Sequence, residues 1–234
     1  MNRLLILPVL LLTLLVGTPA SSADFQKGLT AAQSGDFATA LREWKPLAKQ
    51  GNALAQFSLG LMYDNGESVP QNYKTAVKWY KLAAEQGYDG AQYLLGDLYA
   101  NGKGFPRNYK TAVKWFRLAA EQGIASAQYN LGVMYANGKG VPKNYKTAVK
   151  WYRLAAKQGD ARAQTNLGNA YGKGQGVLQD FVRAHMWLNI AASSGETKNA
   201  SKNRDIVANN MTPSQLETAQ KLARECVRKK YKGC

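Results

Sequence analysis

Few side chains in this chain are of kinds that do chemistry, and their spacing serves chemistry poorly. The single histidine, His185, has no second histidine with which to build a common zinc site. It also falls where Val77, Val113 and Val149 stand in other copies of an internal repeat, and a helix position that accepts valine is one of packing or boundary. Cys226 and Cys234, the two cysteines, belong to no Cys–His arrangement of the nucleophilic or metal-binding kind. On one straight helix their separation would hold them roughly 12 Å apart, beyond disulfide reach. A turn near Gly233 would close that gap; an intrachain bridge, free thiols and a bond to another molecule all stay open. The carboxylates are scattered. Glu85 and Glu121 recur at one repeat register, which suggests surface or interhelical pairing, and no paired acid and base emerges. The segment YGKGQG from Tyr171 looks in isolation like a phosphate-cradling glycine loop. No strand precedes it and it is in register with earlier loops, so it reads as a turn. Catalytic residues, metal ligands and cofactor sites are therefore expected to be absent.

The elements that carry these residues are set by repetition. The octapeptide NYKTAVKW begins at Asn72, Asn108 and Asn144, a period of 36 residues, and a worn copy runs from Gln179 to Gly195. Such a period marks a solenoid, in which each supersecondary unit buries its apolar face only against its neighbours. The first helix of each unit keeps Ala55, Leu59, Gly60 and Tyr63 and their equivalents. Glycine inside a helix costs about 1 kcal/mol relative to alanine, so its recurrence at Gly60, Gly96, Gly132 and Gly168 predicts close approach of a neighbouring helix. Loops of the type NGKGVP follow, with Gly and Asn expected to supply positive φ. Asn72 offers an N-cap and Gly87 a C-terminal stop for the second helix. Between them Ala76, Trp79, Tyr80, Ala83 and Ala84 form the stripe expected to be buried; at this spacing the aromatic residues read as core rather than as a ligand cage.

The ends differ from the middle. Residues 1–23, with Arg3 ahead of an apolar run and Ser21-Ser22-Ala23 closing it, read as a signal peptide cleaved after Ala23, which places the protein in the bacterial periplasm or outside the cell. Removal would leave a net charge of +15, against +16 for the full chain, and favours anionic partners; export disfavours nucleic acid. Residues 24–52 read as a diverged opening helix pair. Residues 197–234 read as closing helices and a basic tail: Thr212, Pro213 and Gln215 form a start signal, and Leu216, Ala219, Leu222, Ala223, Cys226 and Val227 form an apolar face.

The unit A-x-x-x-L-G-x-x-Y, a glycine-rich loop, then N/D-Y-x-x-A-x-x-W-Y-x-x-A-A-x-x-G resembles the Sel-1-like repeat, over units at 53–88, 89–124, 125–160 and 161–196. The segment RDIVANNMTPSQLETAQKLARE is similar to the closing segment of many exported bacterial members. The resemblance implies an all-α, right-handed solenoid of helix–turn–helix repeats that organises protein complexes without catalysis. The beta-lactamase activity associated with a cysteine-rich branch does not carry over, because no repeat here contains a cysteine.

Two surfaces remain for function. One face of the first helices varies from copy to copy, through Leu54, Ser58 and Leu61, then Leu94 and Asp97, then Asn130 and Val133, then Arg162, Asn166 and Asn169. It is expected to be exposed and to line a concave groove for a partner protein or peptide. The second helices carry Lys74, Lys78 and Lys81, then Lys110, Lys114 and Arg117, then Lys146, Lys150 and Arg153, an outer basic ribbon. The expected function is a non-catalytic adaptor in the cell envelope. The alternative is a binder of anionic envelope lipid or glycan through the ribbon, and a hydrolase stands a distant third.

Overall fold

A computed structural model describes residues 19–195, 197 and 199–234. The expected signal peptide lies, through residue 18, outside them. Twelve helices make up the described chain: α1 (Pro19–Gln33), α2 (Phe37–Lys49), α3 (Ala53–Asn65), α4 (Tyr73–Glu85), α5 (Asp89–Asn101), α6 (Tyr109–Glu121), α7 (Ala125–Asn137), α8 (Tyr145–Ala156), α9 (Ala161–Lys173), α10 (Phe181–Ser193), α11 (Ala200–Ala208) and α12 (Pro213–Arg228). Odd-numbered helices from α3 to α9 are the first helices of four units, and even-numbered helices from α4 to α10 the second. Each first helix packs on its own second helix, and each second helix on the next first helix, the nearest-neighbour pattern of a solenoid.

Local signals account for the boundaries. The Asn72 side chain accepts the Thr75 backbone N–H at 2.9 Å, and Asn108, Asn144 and Asp180 cap α6, α8 and α10 in the same way. In the loops the asparagines expected to share the left-handed conformation with glycine do not take it. Asn65, Asn101 and Asn137 end their helices, and Gly66, Gly102 and Gly138 follow with φ near 70 to 77°. Glycine has no Cβ to clash there.

The glycine row inside the first helices has the predicted cause. A Cβ at Gly60 would stand 2.4 Å from the Tyr80 ring, at Gly96 2.7 Å from Phe116, and at Gly132 2.6 Å from Tyr152. Each aromatic ring thus lies against bare backbone, and Tyr80, Phe116 and Tyr152 are buried. The tryptophans one residue earlier are different. Trp79, Trp115 and Trp151 are half-buried, each packed by one edge on the preceding cluster, so the stripe ends at their inner edge. Trp44 takes the place of the unit tyrosine in the opening pair. Its ring fills the space beside Gly28, and its N–H donates to the Phe25 carbonyl at 3.2 Å.

At the C-terminal end α11 and α12 both pack on α10. The Thr212–Gln215 capping box forms. The apolar face of α12 is narrower than the sequence suggests: Ala219, Ala223 and Cys226 are buried, whereas Leu222 and Val227 are exposed, because a single helix lying over the end of a stack has a neighbour on one side only. Cys226 and Cys234 are joined, with Cα atoms 5.7 Å apart. The chain folds back through Lys230 and Tyr231, both at positive φ, and Gly233.

Candidate interaction surfaces

The surfaces depend on how rigidly the units are keyed, and that keying is polar. Gln56, Gln92, Gln128 and Gln164 stand at one register of the first helices and are 1 to 4% exposed. Each donates through Nε2 to a carbonyl at the end of the preceding second helix: Gln92 to Ala84 and Gln128 to Ala120, both at 3.1 Å. The side-chain oxygens of Gln56, Gln92 and Gln128 accept in turn from Gln86, Gln122 and Gln158 at 2.7 to 2.8 Å. Gln122 and Gln158 donate again, to the Gly87 and Gly123 carbonyls of the unit before. A buried amide is costly unless paired, so this ladder fixes the offset between units. The sequence reading passed over these glutamines, although their identity in all four copies was the available signal.

The variable face of the first helices is shaded rather than open. Leu54 and Arg162 are exposed, Leu61, Leu94, Asp97, Asn130, Val133, Asn166 and Asn169 are half-buried, and Ser58 is buried. Ser58 has a short side chain sitting below Leu54 and Leu61, one turn away on the same face. Contacts also cross from unit to unit here: the Arg162 guanidinium lies 4.4 Å from the Tyr129 ring centre and pairs with Asp160 at 2.7 Å. The Asn203 amide of α11 donates to Asn169 Oδ1 at 3.0 Å. Arg162 and Asn169 are thus engaged within the chain. By contrast the lysines of the ribbon on the second helices are exposed. Lys81 pairs with Glu85 at 3.7 Å, Arg117 donates to the Tyr135 hydroxyl, and Arg153, half-buried, to that of Tyr171. The side lined by the first helices is termed the inner side, and the side lined by the second helices the outer.

The floor of the inner side holds a row the sequence reading did not single out. Phe57, Tyr93 and Tyr129 occupy one register, are half-buried, and pack against Tyr80, Phe116 and Tyr152 with ring centres 5.9 to 6.2 Å apart. The row ends at Thr165. Between units 3 and 4 it opens into a pocket of about 420 Å³ lined by Tyr129, Val133, Asn137, Tyr152, Asn166 and Asn169, with Lys173 at its edge. At the other end burial raises the pKa of Asp64, although its carboxylate accepts from the Tyr80 hydroxyl at 3.2 Å.

His185 is 3% exposed, and its Nδ1 has no hydrogen-bond partner among the described residues. Burial, and then the Arg204 charge, lower its pKa, against a weaker opposing effect of Asp205. It lies on α10, outside both surfaces. Among the described residues no cluster of metal-ligating side chains occurs, and no helix is long and apolar enough to cross a membrane.

Comparison with known proteins agrees with this architecture. The family profile "Sel1 repeat" matches residues 53–88, 90–124, 125–160 and 161–196. Among solved structures, the chain is similar to c5321, a protective antigen present in uropathogenic Escherichia coli strains and displaying an SLR fold, at 36% identity and a TM-score of 0.82 over 90% of this chain. This chain spans 47% of that protein's length. It is also similar to a Sel1 repeat protein from Oxalobacter formigenes, at 33% identity and a TM-score of 0.73, over 87% of this chain and 84% of that one. A search of curated proteins returned no match. Sel1 repeats are in general modules of protein–protein interaction and non-catalytic scaffolds. With the repeat profile covering more than half of its residues, on a right-handed solenoid of helix pairs, this chain belongs to the Sel1 repeat family.

Proposed function

We propose that this protein is a non-catalytic adaptor of the bacterial cell envelope that holds a partner protein or extended peptide on its inner face. The observation that supports this is the half-buried aromatic row Phe57, Tyr93 and Tyr129 with its pocket between units 3 and 4. Aromatic rings bury large area while losing little conformational freedom, and the side-chain amides of Asn130, Asn137 and Asn166 can both donate and accept, as pairing with peptide groups requires. The units share their packing residues yet differ along this face, so each offers a bound chain a distinct subsite. The envelope location rests on the leader-like residues 1–23, and the protective-antigen character of the E. coli relative is in keeping with it.

The test is a pull-down from envelope extract with the chain from Asp24 onward, washed at low salt and then at about 0.5 M, where the screening length is only a few Å. A discrete protein retained at high salt, and lost with Asn130→Glu and Val133→Glu together at unchanged melting temperature, is the expected result. Retention by that variant, or loss of everything at high salt, would refute the inner-face reading.

A further inference from the structure

The outer side carries a second surface, and the chain itself shows how such a surface is filled. At the register of Lys78, Lys114 and Lys150 the fourth unit has Met186, and at that of Leu82, Leu118 and Leu154 it has Ile190. Met186 and Ile190 are 5 and 3% exposed, and Trp187 between them is 2% exposed. They share a cluster with Ala223 and Cys226 of α12 and with Ala155 and Ala156 of α8. The Tyr231 ring, just beyond α12, lies 3.2 Å from the position of a Cβ on Gly159 after α8. Helix α12 therefore lies on α10 over Met186, Trp187 and Ile190, and the turn after it reaches the end of α8 through Tyr231, so that together they close the outer furrow between α8 and α10.

The equivalent furrows farther up the stack are open. Leu82, Leu118 and Leu154 are 44, 43 and 47% exposed, and Trp79, Trp115 and Trp151 are half-buried. Three large apolar side chains left showing at one register is more than drift, since each stands beside the tryptophan that α12 covers in unit 4. What differs is the rim, where lysine replaces methionine. An occupant must bring apolar side chains for the leucine and tryptophan and carboxylates for the lysine; a like-charged helix is repelled.

We propose that the furrows at Lys114, Trp115 and Leu118 and at Lys150, Trp151 and Leu154 dock an acidic amphipathic helix of a partner protein, in the manner of α12. This surface is separate from the inner face and stands or falls independently of it. The probes are two labelled peptides, followed by fluorescence anisotropy with the chain from Asp24 onward. One has the sequence of residues 212–229 with Cys226→Ser. The other adds Lys221→Glu, Arg224→Glu and Arg228→Glu. The acidic peptide is expected to bind about tenfold or more tightly than its parent. Leu118→Ser with Leu154→Ser should remove that binding, and Lys114→Glu with Lys150→Glu should reverse the preference. The reversal compares two peptides on one protein sample, so it keeps its meaning even if the serine variant loses stability. Equal binding of both peptides, binding indifferent to Leu118 and Leu154, or binding to phosphatidylglycerol vesicles with none to either peptide would overturn the proposal.

Discussion

The middle of the stack and its C-terminal end solve the same packing problem with different chemistry. In units 1 to 3 a tyrosine or phenylalanine lies on helix glycine, glutamines bridge the units, and the outer helices show lysine to water. In unit 4 Leu188 takes the aromatic position, Ser194 that of Gln86, His185 that of valine and Met186 that of lysine, and α11 and α12 cover the result. Polar keying sets the register of each unit on the one before it. Over the outer side of the last unit apolar burial suffices, because a terminal helix need only exclude water.

The contrast can be broken most severely at a middle glycine. Gly132→Val would push two methyl groups into the Tyr152 ring, which is 5% exposed and cannot retreat. A loss of about 3 kcal/mol is expected, measured by urea unfolding. Gln128→Leu removes two hydrogen bonds, one to the Ala120 carbonyl and one from the Gln158 amide, and should cost about 2 kcal/mol. Gln164→Leu should cost about half of that, since it bonds Ala156 but serves no glutamine in the unit's own second helix. Equal losses at the two positions would mean that the ladder is not what distinguishes middle from end.

The end can instead be made more like the middle. His185→Val restores the residue of Val113 and Val149 and removes the unpartnered Nδ1, and should add about 1 kcal/mol at neutral pH. It should also remove a pH dependence. The folded pKa of His185 lies below its ordinary 6.5, so the unfolded chain takes up the proton first as pH falls. Its contribution to stability is full above 6.5 and declines on acidification until the lowered folded value is passed. Melting temperatures between pH 7.5 and 5 for the two proteins check this, and parallel curves would contradict it. The smallest effect is expected at Ser68, which takes the left-handed conformation where Gly104 and Gly140 stand in later loops. Ser68→Gly should stabilise by about 0.5 kcal/mol.

Periodicity made the architecture legible, since a residue type repeated every 36 positions reports a shared environment. The asparagine caps and the glycine row followed from local rules. Periodicity does not say how deep a residue lies. The tryptophans looked like core because they share a helix face with Ala76 and Ala83, yet their outer edges are bare for want of a second layer over units 1 to 3. The glutamines were passed over for a different reason: their partners are carbonyls at the end of another helix, and no local pattern shows where that end will lie. The inner pocket and the furrow under α12 involve helices from separate units, and a single repeat contains no trace of either.

Every bond of the glutamine ladder points toward the N-terminus. Gln92 reaches back to Ala84, Gln122 to Gln92 and Gly87, and Gln158 to Gln128 and Gly123. No unit waits on residues that follow it to satisfy these amides. A chain that emerges amino end first can therefore complete each unit on the one already formed, with short-range contacts throughout, which is the topology that folds fast. The direction of these bonds suits a molecule assembled in the order in which it is delivered.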